Sequence, residues 1–412
     1  MRHAWIWRLF AMATAVSQAL VGPAGADVDF RRFLEGLRAE AASLGVTKAT
    51  FDGELAGLTP DLSLPDLEIP GREPTMKSGQ AEFTRPPQDY INRGQIMRLA
   101  EQGKALAKSH AVALARIERE IGVERQAVLA IFGRETAFGS YKPTHDAIRA
   151  IATQAYIGRR KELFRKELVY ALKLIQDRLV TRAQMKASWA GAMGLTQFLP
   201  TEFYEHGLDL DGDGRIDLFG SVPDALGSAA RQLKAKGWIT GVPWGIEITL
   251  SPAVDCALEG PTNERPVAEW IKLGVARANR APFPPALLAQ PAYLMSPGGA
   301  LGPSFLVFEN YKVIRRYNMS DLYATFVGHL ADRIIGGGDF VTPWRSIAQL
   351  SESDVAEIQE KLSARGLKVD KVDGKIGSNT RLTIGLFQRA EKMPVDCWPS
   401  QAVLRQARGT PR

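Results

Sequence analysis

Between Asp89 and about Gln184 the chain carries helical periodicity, with breaks only near Gly122, from Gly139 to Pro143 and near Gly158. So long a stretch of that period confines the fold to a helix-rich core. Phe30, Phe33, Leu34 and Leu37 extend the same period towards the N-terminus. Residues 60–88, with Pro60, Pro65, Pro70, Pro74, Pro86 and Pro87, read instead as an extended strap over the surface. Residues 185–240 mix short helices with Gly-rich turns and one Asp-rich loop. Residues 241–317 change character: Gly245 to Leu250 and Ser304 to Phe308 are β-leaning runs that predict a small sheet. A further helix, from about Ser320 to Ile335, ends at Gly336, Gly337 and Gly338. Beyond Pro343 a separate amphipathic module begins. The expected class is therefore α+β and helix-rich, with a small β-containing subdomain and a small all-α module of three helices at the C-terminus.

The 412 residues are 45% apolar and 24% charged, which excludes a disordered chain, a collagen-like fibre and a disulfide-stapled miniprotein. A formal charge of +7 comes without a Lys/Arg-dense run or zinc-finger spacing, so no nucleic-acid partner is expected. Arg2 and Arg8 precede an apolar run from Leu9 to Leu20. Gly22 and Pro23 then break any helix, and Ala24-Gly25-Ala26 supplies a small-residue cleavage site. Residues 1–26 thus read as a secretory signal peptide, too short in its apolar part to span a bilayer. No cysteine lies near the cleavage point to carry a lipid anchor, and no later stretch is long enough to span. A soluble, exported, periplasmic protein is the expectation. Its basic charge suits an anionic wall or membrane surface. The two cysteines, Cys256 and Cys397, are far apart in sequence. An oxidising compartment permits a bridge, but nothing in the sequence brings their Cα atoms together, and two unpaired residues are the simpler expectation.

The chemistry points to Glu135. Val128, Ile131, Phe132 and Glu135 fall at i, i+3, i+4 and i+7, on one helical face. Glu135 so occupies a position that the pattern reserves for an apolar side chain, and Gly139 is expected to end the helix beside it. Burial disfavours the carboxylate, raises its pKa and retains the proton near neutrality, as a general acid requires. The plainer alternative is a structural Glu paired with an arginine. Downstream, Ser188-Trp-Ala-Gly-Ala-Met-Gly194-Leu-Thr-Gln197-Phe-Leu-Pro200 clusters small residues before a polar amide. Small residues let backbone approach a ligand closely; they also allow tight packing of elements.

Together, Glu135-Thr-Ala-Phe-Gly139 and the Ser188 to Pro200 segment resemble the lytic murein transglycosylases of the B type. The resemblance runs from about Phe30 to Ile335 and includes Glu82-Phe83-Thr84, Asp89-Tyr90 and Tyr317-Asn318. It implies a lysozyme-like core that cleaves the MurNAc–GlcNAc β-1,4 bond of peptidoglycan and leaves a 1,6-anhydromuramoyl end. In that family Glu135 matches the single catalytic acid. Ser188, Gln197, Tyr317, Asn318 and Tyr323 match positions lining the glycan cleft. Arg159 and Arg160 match a basic pair near the peptide stems, although a solvated charged face reads equally well there. The sequence departs from the pattern at Arg231-Gln232, where relatives place Asn and an aromatic residue. No cofactor is required for such chemistry. Two rival readings remain: a muramidase that delivers water to the same bond, and a catalytically silent wall-binding protein.

Asp209, Asp211, Asp213 and Asp217 stand at positions 1, 3, 5 and 9 of an EF-hand calcium loop, with Gly214 at the turn and the Arg215 carbonyl at position 7. Position 12 is Gly220. Relatives close the same truncated loop with a later acid, for which Asp224 is the candidate, and a structural calcium ion is expected. In the C-terminal segment, Val372-Asp373-Gly374-Lys-Ile-Gly377-Ser-Asn-Thr380 followed by Phe387-Gln388 resembles the three-helix peptidoglycan-binding module. Cys397 stands where that module usually has Gly. The domains expected are 1–26 leader, 27–343 catalytic and 344–412 wall-binding. A monomer acting on peptidoglycan glycan strands, alongside other cell-wall enzymes, is the expected setting.

Overall fold

The computed structural model describes residues 23–69 and 81–409. Most of the expected leader and the middle of the expected strap lie outside the described residues. Pro23, which the sequence suggested as a helix breaker, instead begins the helix Pro23–Glu35. A proline at the first helical position forfeits no intrahelical bond. Among the described residues no helix is long and apolar enough to cross a membrane.

Two helical cores stand side by side. One gathers Arg93–Ser109, Ala111–Glu120, Arg125–Thr136, Val222–Ala235 and Asp321–Ile334 around Leu99, Ile117, Val128, Leu226 and Leu330. The other packs Ala147–Ile157 and Lys161–Gln176 with the N-terminal helices, around Phe30, Ile151, Phe164 and Leu172. The expected periodicity of residues 89–184 resolves into discrete helices with one extra break at His110, which caps the first of them and precedes the second.

The small sheet has five antiparallel strands in the order Arg265–Pro266, Pro291–Met295, Ser304–Val307, Gly245–Thr249, Ala276–Arg277. Both of its faces are covered. Tyr293, Met295, Phe305 and Val307 face the first helical core, while Leu294, Leu306 and Ile248 face a separate cluster with Trp270 and Val267. The period of two along each strand explains that division.

The C-terminal helices Glu352–Ala364, Ser378–Ala390 and Gln401–Arg408 enclose Ile358, Leu362, Ile384, Phe387 and Leu404. Contrary to the expectation of unpaired cysteines, Cys256 and Cys397 form a disulfide with Cα atoms 6.0 Å apart. The physical reason is docking, which sequence separation conceals: Ser378–Ala390 lies against the turn Cys256–Leu258, and Gly385 comes within contact of Cys397 and Ala257. Cys397 has φ +57°, a left-handed conformation natural to glycine. At this departure from the module's pattern the cysteine takes a glycine-like backbone and adds a covalent tie. The segment from Gly336 to Pro343 is tied down on the sheet and the last core helix. Glu247 accepts hydrogen bonds from the Val341 and Thr342 amides (2.8 and 2.7 Å), and Phe340 stacks on His329.

Candidate active site

Glu135 lies in the last turn of Arg125–Thr136, a helix buried on nearly every side. The helix stops at Thr136, three residues before the expected Gly139, because Ala137, Phe138 and Gly139 all adopt left-handed backbone. This reversal lets the Phe138 ring fold back against Gly133, where a Cβ would stand 2.7 Å from it. Thr136 then ties the helix end to the Ser188–Pro200 segment by donating from Oγ1 to the Leu195 carbonyl (2.7 Å).

The carboxyl of Glu135 accepts a hydrogen bond from the Tyr323 hydroxyl, presented from the next core helix. Burial pushes its pKa up to about 7, against the pull of Tyr323 and the nearby Arg134 guanidinium. Glu82 and Glu202 add a smaller push in the same direction as burial. Desolvation is the leading cause of this shift. Arg134 does not pair with Glu135 in a salt bridge. Its guanidinium donates to the Tyr90 hydroxyl (2.5 Å) and lies over the Tyr90 and Phe326 rings. Arg134 and Tyr90 stand beside Glu135 at the candidate site, although the helical pattern did not single them out. The sequence signals were the place of Tyr90 in the Asp89-Tyr90 pair that the family resemblance includes, and the position of Arg134 beside Glu135.

Ser188–Pro200 is not a helix. It is a tight double-back in which Met193 bridges both Ala187 and Phe198. The Ser188 Oγ accepts from the Ala192 amide (3.2 Å), leaving its own proton available. Gln197 adopts φ +55° and donates to the Gly194 carbonyl (3.1 Å). Its glycines serve packing more than ligand access: Ile151 fills the space where a Gly191 side chain would sit, and the Leu218 carbonyl that of Gly194. Tyr317 packs against both helical cores and donates to the Thr196 carbonyl (2.5 Å). Asn318 donates to Glu82 (3.1 Å). Glu135, Tyr323, Tyr317 and the Gln197 segment are therefore brought together at the seam between the two cores.

Arg159 and Arg160 stand apart from this cluster. Both side chains are about half exposed and both face Asp66 of the strap, at 3.3 and 3.7 Å. Arg231 donates to the Gly207 carbonyl (2.8 Å), and the Gln232 side chain is buried with no partner among the described residues.

Of the Asp loop, the structure brings three of the expected acids together. Oxygens of Asp209, Asp211 and Asp213 lie within 4.8 Å of one another on an exposed rim. Asp224 sits elsewhere in the arrangement: it is fully buried and accepts from the Leu210, Asp211 and Asp217 amides (2.8, 3.2 and 2.9 Å). Asp217 caps the Phe219 and Gly220 amides (2.9 Å each). Arg215 is at the tip, its guanidinium 3.7 Å from Asp213.

Two family models match the chain: the transglycosylase SLT domain over residues 29–332 and the peptidoglycan binding domain over residues 351–406. The chain belongs to the transglycosylase SLT domain family. This SLT-domain chain is similar to SltB3 of Pseudomonas aeruginosa, solved in complex with NAG-anhNAM-pentapeptide: 40% identity and a TM-score of 0.83 over 92% of this chain and 99% of that one. It is also similar to the membrane-bound lytic murein transglycosylase B of Escherichia coli (strain K12), 31% identical over 227 residues. That match covers 54% of this chain and spans 60% of the relative's length. The Escherichia coli lytic transglycosylase Slt35, solved in complex with calcium, shares the fold at 23% identity and a TM-score of 0.59, over 77% of this chain and 97% of that one. The SLT-domain enzyme thus joins a helix-rich α+β, lysozyme-like unit to a C-terminal helical module.

Proposed function

We propose that this enzyme is a lytic transglycosylase that cleaves the MurNAc–GlcNAc β-1,4 bond of peptidoglycan and closes a 1,6-anhydromuramoyl ring. The observation that carries the reading is the half-buried Glu135 carboxyl, poised near neutrality under the Tyr323 hydroxyl. Glycosidases commonly use two carboxylates. Glu82, which accepts from Asn318, and Glu202, which accepts from Lys236 (3.0 Å), are each engaged elsewhere. One acid suffices if the nucleophile belongs to the substrate. Glu135 protonates the departing GlcNAc oxygen as the C1–O bond breaks, leaving oxocarbenium-like charge on the muramoyl ring. The substrate's N-acetyl carbonyl stabilises that charge, held by polar groups such as Ser188. The ionised Glu135 then takes the proton of the C6 hydroxyl as its oxygen bonds to C1. The acid is thereby regenerated, and the intramolecular attack replaces a positioned water.

Gln197, Tyr317, Asn318 and Tyr323 line the glycan cleft in this reading, with Arg159 and Arg160 towards the stem peptides. Residues 344–412 hold the enzyme on glycan strands, and residues 1–26 direct export to the periplasm. Asp209, Asp211 and Asp213, with the Arg215 carbonyl and Asp217, offer the hard oxygen donors that calcium prefers. The ion would staple the loop and take no part in bond cleavage. Asp224 supports the loop from behind through the three hydrogen bonds it accepts from backbone amides. Mass spectrometry of digested peptidoglycan tests the main reading: anhydromuramoyl products are expected, whereas mainly reducing MurNAc ends would establish a muramidase.

A further inference from the structure

We propose that Arg381, in the C-terminal module, is a positioning residue for the reaction. Through Asp321 it fixes the first turn of the helix that carries Tyr323, and so holds the Tyr323 hydroxyl on Glu135. This rests on the reading of Glu135 as the catalytic acid.

Arg381 belongs to Ser378–Ala390 and is 1% exposed, in a module whose other arginines are largely at the surface. Its guanidinium grips Glu259 through two nitrogens (3.0 and 2.5 Å) and reaches Asp321 Oδ2 at 2.9 Å. Asp321 opens the helix Asp321–Ile334, capped by Ser320, which accepts from the Tyr323 amide (3.3 Å). Tyr323, two residues on, donates to Glu135. The other Asp321 oxygen faces Arg315 (3.1 Å) and the Tyr311 hydroxyl (3.2 Å), both from the catalytic unit. Asp321 is therefore shared, one oxygen held by each domain.

Simple attachment of the module does not need this arrangement. The Cys256–Cys397 bridge and the Arg389–Asp255 ion pair (2.7 Å) already hold it in place. A buried cation is costly unless every nitrogen is paired. Here the pairing ends at the helix turn that aims the tyrosine at the acid.

The groups that set the proton affinity of Glu135 are Tyr323 from this helix, Arg134 from its own, and Glu82 and Glu202 from flanking segments. Tyr317 also faces it. A hydroxyl donated to the carboxylate favours the anion, so a displaced Tyr323 lets Glu135 keep its proton to higher pH. Around Asp321 stand Arg315, Arg381 and Tyr311, with Tyr293 and Glu259 behind them. Removing the Asp321 charge would by itself shift Glu135 downward, so an upward shift in that variant reports geometry.

The test measures kcat and KM against pH on short soluble glycan strands. Tyr323→Phe is expected to move the basic limb up. Arg381→Lys and Asp321→Asn should move it the same way by about half a pH unit, and lower kcat about five- to fiftyfold with KM little changed. The double variant Cys256→Ser, Cys397→Ser, which loosens the module without touching the ion network, should leave the limb in place. An unmoved limb in Arg381→Lys, with Tyr323→Phe shifted, overturns the inference. So does an equal shift in the cysteine variant, which would mean general loosening. Full activity in Glu135→Gln would instead sink the reading of the site itself. Should Arg381→Lys fail to fold by circular dichroism, the pair Arg381→Gln, Glu259→Gln removes both buried charges together and is read by the same criterion.

Discussion

The Glu135 carboxyl stands between burial, which retains its proton, and the Tyr323 hydroxyl, which favours the anion; burial prevails and sets it at about 7. Activity should therefore decline as pH rises through about 7, and a pH–rate profile that stays flat to pH 9 would contradict the assignment. The same shift has a stability consequence. A carboxyl whose folded pKa lies above its unfolded value contributes fully below the unfolded pKa, and that contribution is lost as pH rises through the folded one. Glu135→Gln should then be nearly inactive, still bind glycan, and be more stable than the parent at pH 8 by about 1–3 kcal/mol. Urea melts at pH 4 and pH 8 check this, since the gain should vanish at the lower pH. The charge around Arg134 follows another logic: stacking on Tyr90 and Phe326 spends its cation on aromatic faces. Arg134→Ala should thus loosen Tyr90 and Phe326 as well as remove charge, and lower the melting temperature more than Arg134→Lys.

At the scale of elements, the Asp loop and the Ser188–Pro200 double-back show the same residue types put to different ends. Acids at alternate positions of 209–213 converge on one exposed rim, while Asp224, from the following helix, turns inward to receive backbone amides. Calcium is expected to raise the melting temperature of a chelated sample, by up to about 3 kcal/mol of stabilisation at a hundredfold excess over Kd. Asp211→Ala should lose that increment, whereas Asp224→Ala should destabilise the protein with and without the ion. A parent protein indifferent to calcium would remove the site. In the double-back, Gly191 cannot bear a side chain, since Ile151 occupies its place at 2.2 Å. Gly191→Ala should therefore disturb the second core.

For the whole molecule, the module is docked by covalent, ionic and apolar contacts together. Deleting residues beyond Ser346 frees Cys256 and takes the Arg381 cation away from Glu259. The remaining unit should lose up to about 3–5 kcal/mol, the cost of stranding one partner of a buried pair, and less to the extent that water reaches the uncovered Glu259. Adding Glu259→Gln to the truncated protein should restore part of that loss in urea titrations. No difference between truncated and full-length stability would mean that the module contributes only binding. Removing the bridge alone, across a separation of 141 residues, should cost about 2–5 kcal/mol.

Local pattern was enough for much of this protein. The helix-rich class follows from a 3.6-residue period, the sheet from two β-leaning runs, and the candidate acid from its place on an apolar face, because each is a property of neighbours in sequence. The Asp loop was legible for the same reason. What the pattern could not supply is partnership across long separations. The Cys256–Cys397 bridge, the Arg381 link to Glu259 and Asp321, and the bond from Tyr323 to Glu135 join residues 141, 122, 60 and 188 positions apart. Such contacts depend on how preformed elements dock, where apolar surface buried over whole faces outweighs any local preference. Only the packing of the two helical cores, and of the module upon them, decides which tyrosine meets the acid.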